Sequence, residues 1–81
     1  MTRSVFTKVY ERFRAMLVES RKAAGLSQAE VAARLRRAQT YVSKYERGER
    51  RLDVVEFLEV ARVLDFDPVK FIRRLDGRDN R

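Results

Sequence analysis

A chain of 81 residues, of which 44% are hydrophobic and 38% charged, is long enough for one small folded domain and too apolar to be disordered. It has no cysteine and no histidine, which excludes a disulfide framework and leaves a zinc site without its usual ligands. No apolar run approaches the ~20 residues of a membrane span and no signal peptide is recognisable. The composition therefore predicts a cytoplasmic protein with no metal and no cofactor.

The net charge of +7 is distributed unevenly along the chain. Residues 14–51 contain ten Lys and Arg against four Asp and Glu, a balance of +6. Residues 1–13 carry +2 and residues 52–81 carry −1. Because a charge that served solubility alone would be spread evenly, this concentration indicates a polyanionic partner.

The first helix is predicted for residues 7–24, after a loose segment over residues 1–6. Its apolar side chains recur at helical spacing near one face. They are Tyr10, Phe13, Leu17 and Ala24. Gly25 is predicted to end this helix, because glycine readily adopts the left-handed conformation found at helix C-termini.

A second, shorter helix is predicted to begin at Ser27. The Ser27 hydroxyl can accept a hydrogen bond from the first turn, and Glu30, three residues later, can reach back to complete a capping box. Val31, Ala32 and Leu35 then fall on one face, which is predicted to pack inward.

A third helix is predicted from Gln39 to Arg47, with Val42 and Tyr45 pointing inward and Gly48 ending it in the left-handed conformation. Only three residues separate it from the second helix. Two helices joined so closely cross at a steep angle and leave one face of the second helix free to project outward. The pattern is that of a helix-turn-helix.

The free face of the third helix is polar. It consists of Gln39, Thr40, Ser43, Lys44 and Arg47. Amide, hydroxyl and ammonium groups are those that read base edges in the major groove, although the surface of any exposed helix is polar. The predicted base contacts are Gln39, Thr40 and Lys44, with the shorter Ser43 as a weaker candidate.

Arginines on both sides of this helix favour DNA over a merely solvated surface. Arg34, Arg36 and Arg37 precede it, whereas Arg47, Arg50 and Arg51 end or follow it. Cations placed on both sides of a groove match the two phosphate backbones that border it.

The segments LSQAEVAARL and QTYVSKYERGER resemble the Cro/C1-type (XRE-family) helix-turn-helix domains of bacterial and phage regulators. The resemblance covers roughly Tyr10 to Leu75. It implies an all-α, five-helix lambda-repressor-like domain, here residues 7–76, that binds double-stranded DNA. The sequence departs from the family pattern at two positions. Arg36 stands where the turn usually has glycine, and Arg37 stands where relatives often have an apolar or small residue.

Further site residues follow from this resemblance. In the family an arginine of the first helix, here Arg21, commonly pairs with the glutamate at the position of Glu46, and the start of the second helix, here Gln28, meets a phosphate. The predicted phosphate contacts are Arg21, Gln28, Arg36, Arg37, Tyr41, Arg47, Arg50 and Arg51. Tyr41 has an alternative, which is to pack beside the turn.

The rest of the chain predicts two more helices. Asp53 is expected to cap the fourth, with Glu56 completing a capping box, and Asp67-Pro68 to begin the fifth after a break at Asp65-Phe66. The apolar stripe of the fourth helix is predicted as Leu52, Val55, Leu58, Ala61 and Leu64, at intervals of three. Residues 77–81 form a polar tail that is predicted to be disordered.

Phe71, Ile72 and Leu75 make the last helix apolar on more than one side. A domain of this size has little core left for all three, so they are predicted as contacts of a homodimer. The alternatives are that the helix simply packs on the monomer core, or that it is a two-turn basic amphipathic helix on a membrane surface.

These features favour a sequence-specific DNA-binding transcriptional regulator, a repressor or autoregulator, that acts as a homodimer on a palindromic operator. A rival from another class is an antitoxin that neutralises a toxin protein and autoregulates its operon. An enzyme is not expected, because the sequence has no histidine, no cysteine and no glycine-rich phosphate loop, and its carboxylates are at helix caps and surfaces.

Overall fold

The structure is a computed structural model that describes the backbone of residues 2–77 and the side chains of residues 8–77. Its described residues form five α-helices and no β-strand, which confirms the predicted all-α class. The helices are α1 (Thr2–Ala23), α2 (Gln28–Leu35), α3 (Gln39–Arg47), α4 (Val54–Leu64) and α5 (Pro68–Asp76). The predicted tail beyond Gly77 and residue Met1 lie outside the described residues.

Local sequence signals set most of the helix boundaries. The capping boxes Ser27/Glu30 and Asp53/Glu56 are both formed, and the Asp67 carboxylate accepts hydrogen bonds from the first turn of α5. The exception is α1, which begins at Thr2, so that residues 2–6 are helical where a loose segment is predicted.

The core lies where α1, α2, α3 and α4 meet. Its most deeply buried side chains are Leu17, Val31, Val42, Tyr45 and Val60. Met16 is also buried, although the apolar spacing predicted for α1 did not include it. Ala24 is exposed rather than buried, because α1 has already ended there and the chain turns at Gly25, which has a φ of +74°.

The predicted inward stripe of α4 is partly wrong. Val55 and Leu58 are 66% and 42% exposed, and the side chains that face the core are Phe57, Val60, Ala61 and Leu64. An interval of three residues turns 300° around a helix, so a stripe at strict threes moves off the inward face. The alternating spacing of three and four stays on it.

The prediction that Phe71 is a dimer contact is also wrong. Phe71 is 6% exposed, and its ring centroid lies 4.8 Å from that of Phe66 and 5.1 Å from that of Phe57. Leu75 is half-buried against the same core, and only Ile72 of the three predicted contacts is exposed, at 47%. The alternative, that α5 packs on the monomer core, is confirmed for Phe71.

Candidate nucleic-acid interface

The turn between α2 and α3 is closed by an arginine in the left-handed conformation. Arg36 has φ 59° and ψ 44°, as its position in place of glycine predicts. Its N–H donates to the carbonyl oxygen of Ala33, and the N–H of Arg37 donates to that of Ala32, which satisfies the end of α2. This conformation costs a non-glycine residue on the order of 1 kcal/mol, so the tertiary contacts on either side must hold it.

The predicted base-reading residues lie together on the outer face of α3. Gln39, Thr40 and Lys44 are exposed, whereas Val42 and Tyr45 on the opposite face are 0% and 1% exposed. Ser43 is half-buried, and its hydroxyl donates to the carbonyl oxygen of Thr40 at 3.3 Å. The helix therefore presents an amide, a hydroxyl and an ammonium group outward while its other face is locked in the core.

Glu46 anchors the C-terminal half of α3. Its carboxylate accepts from Nε and Nη2 of Arg21, at 2.7 and 3.2 Å, and from Nε2 of Gln28 at 2.8 Å. Glu46 is 8% exposed, and the bond to it raises the pKa of Arg21. The predicted contact between Arg21 and Glu46 is thus present, and Gln28 joins it, so one carboxylate links α1, α2 and α3.

Tyr41 lies in the core rather than on the surface. It is 9% exposed, and its hydroxyl is buried without a hydrogen-bond partner in the described part of the chain. The predicted contact of Tyr41 with a phosphate is therefore wrong for this conformation, and the alternative, packing beside the turn, is confirmed. The guanidinium carbons of Arg37 and Arg50 each lie 4.6 Å from the centroid of its ring.

Both of these arginines also bind carboxylates of α4. Arg50 donates to the two oxygens of Glu56 at 2.8 and 3.1 Å, and Arg37 donates to Glu59 at 3.3 Å. The bonds from Arg50 and from the backbone N–H of Asp53 lower the pKa of Glu56 to about 2. The sequence does not distinguish these two arginines from the other flanking arginines, but in the structure each of them contacts the Tyr41 ring and a carboxylate of α4.

Three other arginines predicted to meet phosphates remain on the surface. Arg36 is exposed in the turn. Arg47 is exposed and pairs with Glu49 at 2.9 Å, and the guanidinium of the exposed Arg51 lies 4.3 Å from the ring centroid of Tyr10. Because ion pairs between exposed groups are weak, the Arg47–Glu49 pair can open for an anion at little cost.

The model of the helix-turn-helix family matches residues 17–71, which is more than half of the chain and includes α2, α3 and α4. The chain belongs to the XRE family. A solved structure to which it is similar is the XRE-family like protein from Pseudomonas syringae pv. tomato str. DC3000, with 42% identity and a TM-score of 0.90. The match covers 95% of this chain and 94% of that one. A search of curated proteins finds no match.

Membership of the XRE family makes the chain a DNA-binding transcription regulator with Cro/C1-type helix-turn-helix architecture. In this regulator α2 and α3 are the two helices of the motif, and α3 is the recognition helix. None of the helices among the described residues is long and apolar enough to cross a membrane.

Arg14 is a residue of this site that the sequence reasoning missed. Its Nη1 donates to the carbonyl oxygen of Glu46 at 3.0 Å, near the C-terminus of α3, where a cation is favourable. A Cβ at Gly48 would lie 2.9 Å from its Nε, so a larger residue there would displace the Arg14 side chain, besides being strained at a φ of 81°. The signal was available, because Arg14 precedes Arg21 by two helical turns and so shares its face.

Proposed function

We propose that the chain acts as a homodimer that binds a palindromic operator in double-stranded DNA sequence-specifically and represses transcription there. The observation that carries this proposal is the exposed polar face of α3, on a helix anchored through Glu46 and flanked by cations. One such domain reads few base pairs, and two copies supply the discrimination that a genome requires. The protein would act in the cytoplasm, on bacterial or phage DNA.

In this proposal α3 lies in the major groove and reads bases from its outer face. Gln39 is suited to adenine, whose N6 and N7 match the donor and acceptor of an amide, and Lys44 to the O6 and N7 acceptors of guanine. Thr40 can donate or accept, or contact a thymine methyl group. Ser43, half-buried and bonded to Thr40, has a secondary role.

The phosphate contacts we propose are Arg36 before α3, and Arg47 and Arg51 at its end and beyond, together with the N-terminus of α2 at Gln28. The three arginines are exposed. The first turn of α2 offers backbone N–H groups and the positive end of the helix dipole. Arg21 donates from all three guanidinium nitrogens to Glu46 and Leu26 within the protein, so its role is to orient α3.

Selection of bound duplexes from random DNA is the direct test of this function. We expect a two-fold symmetric consensus whose half-sites are centred about 34 Å apart, one turn of B-DNA. A single asymmetric half-site would contradict the homodimer, and the absence of any enriched sequence would contradict specific readout.

Readout by Lys44 and Gln39 can be tested one base at a time. Lys44→Ala and Gln39→Ala should each cost ~1–3 kcal/mol on the selected site and remove the preference at one base pair. Affinities for the selected duplex and for its single-base variants measure this. If Lys44→Ala weakens random duplexes as much as the selected one, Lys44 contacts a phosphate instead.

The dimer surface that we propose differs from the one predicted from sequence, because Phe71 is buried. Large exposed hydrophobic side chains occur on the two last helices. They are Val54, Val55 and Leu58 on α4 and Val69 and Ile72 on α5. We propose that these five residues, a set that leaves out the exposed Val9 of α1, form one surface, here called the α4–α5 apolar surface. A second copy of the chain would remove them from water and supply the two-fold axis that a palindrome needs.

Replacing Ile72 by glutamate should shift the protein towards monomer in sedimentation without loss of helical circular dichroism, because Ile72 is 47% exposed. Ala29→Glu places the same carboxylate on an exposed position of α2 and should leave the assembly unchanged. A wild-type protein that is monomeric at high concentration would contradict the dimer itself. A variant that dimerises as well as wild type would contradict this surface.

A further inference from the structure

The start of the recognition helix lacks the side-chain cap that α2, α4 and α5 have. Its N-cap residue is Ala38, and no side chain caps the free N–H groups of the first turn. The preceding turn also holds Arg36 in the left-handed conformation. A helix start with no side-chain cap, next to a strained turn, needs a tertiary contact to fix its direction.

That contact is a cluster of five residues, here called the tyrosine clamp: Arg37, Tyr41, Arg50, Glu56 and Glu59. Tyr41 is the third residue of α3, and the arginines come from the turn before the helix and the loop after it. Both guanidinium groups lie 4.6 Å from the Tyr41 ring centroid, within the range of cation–π attraction. Both are bound in turn by carboxylates of α4.

Within the clamp, Arg50 has little freedom to reach a phosphate, whereas Arg37 is exposed and makes a single bond to Glu59 at 3.3 Å. Arg50 makes a bidentate pair with Glu56 and donates a further bond to the carbonyl oxygen of Arg51. Moving it to DNA would break this planar arrangement, expose the Tyr41 ring and leave Glu56 beside a polyanion. Glu56 also accepts the N–H of Asp53, so it cannot simply follow the arginine.

From this arrangement we propose that Arg37 and Arg50 are positioning residues, which hold the first turn of α3 through Tyr41 and thereby aim Gln39 and Thr40 at the bases. The clamp fixes the N-terminal end of α3 to α4, as the Glu46 network fixes its C-terminal half to α1 and α2. The role in readout rests on the proposed function, but the anchoring of α3 does not.

Arg50 and its neighbour Arg51 offer a matched comparison, because both are arginines of the same loop and only Arg50 is in the clamp. Arg50→Ala should lower affinity for the selected duplex by about tenfold and leave the dependence of log K on log salt unchanged. Arg51→Ala should weaken selected and random duplexes alike and reduce the salt slope by about one unit. The positioning role would be overturned if Arg50→Ala reduced the salt slope by one unit and lowered the affinity for random DNA as much as that for the selected duplex.

Glu56→Gln gives a second comparison, because a positioning role and a phosphate-contact role of Arg50 predict opposite changes in affinity for DNA. Glutamine keeps the capping-box acceptor of α4 but removes the charge that holds Arg50. If Arg50 only contacted phosphate, releasing it and adding net positive charge would tighten binding. Positioning predicts weaker binding to the selected duplex, and tighter binding would overturn it.

Tyr41→Phe and Tyr41→Leu separate the ring from its hydroxyl. Because the hydroxyl is buried without a partner in the described residues, Tyr41→Phe should bind the selected duplex as wild type does. Tyr41→Leu should lose affinity, since it removes the aromatic face. Loss of binding in Tyr41→Phe would mean that the hydroxyl contacts DNA and would overturn the clamp.

Hydrogen exchange of the DNA-free protein tests the anchoring without any assumption about function. Arg50→Ala should speed amide exchange in α3 by about tenfold relative to α1, whereas Arg51→Ala should not. If wild type enriches no DNA sequence but Arg50→Ala loosens α3, the proposed function fails and the clamp stands. If exchange in α3 is unchanged by Arg50→Ala, the clamp fails whatever the protein binds.

Discussion

Replacement of Phe71 by glutamate is expected to unfold the protein rather than to separate a dimer. Phe71 is 6% exposed and lies between the rings of Phe13, Phe57 and Phe66, with centroids 4.8–5.8 Å away. Truncating a buried Phe to alanine costs ~3–5 kcal/mol, and a carboxylate among aromatic rings costs more because it loses its hydration. A domain of 81 residues has a total stability of roughly 4–12 kcal/mol, so little or none would remain.

Thermal melting followed by circular dichroism measures this effect. The cooperative transition of Phe71→Glu should be lost or lie far below that of wild type. Ile72→Glu is the matched control, since it introduces the same carboxylate one residue later on the exposed side of α5. At a protein concentration low enough for wild type to be monomeric, it should melt close to wild type. If both variants melt like wild type, the packing of Phe71 against the other aromatic rings does not stabilise the fold as proposed.

The contrast between Phe71 and Ile72 shows what the sequence could predict about α5. The pattern reveals an excess of apolar residues on a short helix, and its N-terminal signal, Asp67-Pro68, is local and was predicted correctly. Which apolar side faces inward depends on the aromatic rings of α1, α4 and the α4–α5 turn, which come together only in the folded chain. Composition arguments about the available core volume could not replace that information.

The helix-turn-helix was easier to predict, because its signals are local. Ser27, Glu30 and Gly48 act within one turn of the backbone that they cap, and Arg36 adopts the left-handed conformation that its position in the motif requires. The end of α3 at Gly48 and its alternation of buried and exposed positions then place the outer face of α3.

The roles of the arginines could not be predicted in the same way. Arg37 meets Glu59, 22 residues later in the sequence, only because α4 packs close to the turn in the folded chain. The Arg21–Glu46 contact joins residues 25 positions apart, and it was predicted only through the resemblance to the XRE family. Charge counting along the chain therefore identifies a cationic region but does not tell which cations are free to bind phosphate.

Glu46 is the position where charge counting and structure disagree most. Removing a carboxylate from a DNA-binding helix should, by net charge alone, strengthen binding to a polyanion. The Glu46 carboxylate, however, accepts three hydrogen bonds from Arg21 and Gln28, and the Arg21 side chain is only 14% exposed. Breaking such a pair by removing one partner leaves a poorly solvated charge and costs ~3–5 kcal/mol.

Glu46→Ala should therefore melt at a lower temperature and bind the selected duplex more weakly, because α3 loses the carboxylate's hydrogen bonds to Arg21 of α1 and Gln28 of α2. Glu49→Ala is the matched control: it removes the same charge three residues later, from a side chain that is 53% exposed and pairs with the exposed Arg47. That change frees Arg47 for a phosphate and should tighten binding with little effect on melting. Binding is measured at a temperature at which circular dichroism shows both variants to be folded. Since the two substitutions change net charge identically, opposite effects on affinity would show that Glu46 orients the recognition helix, and tighter binding by Glu46→Ala would contradict that role.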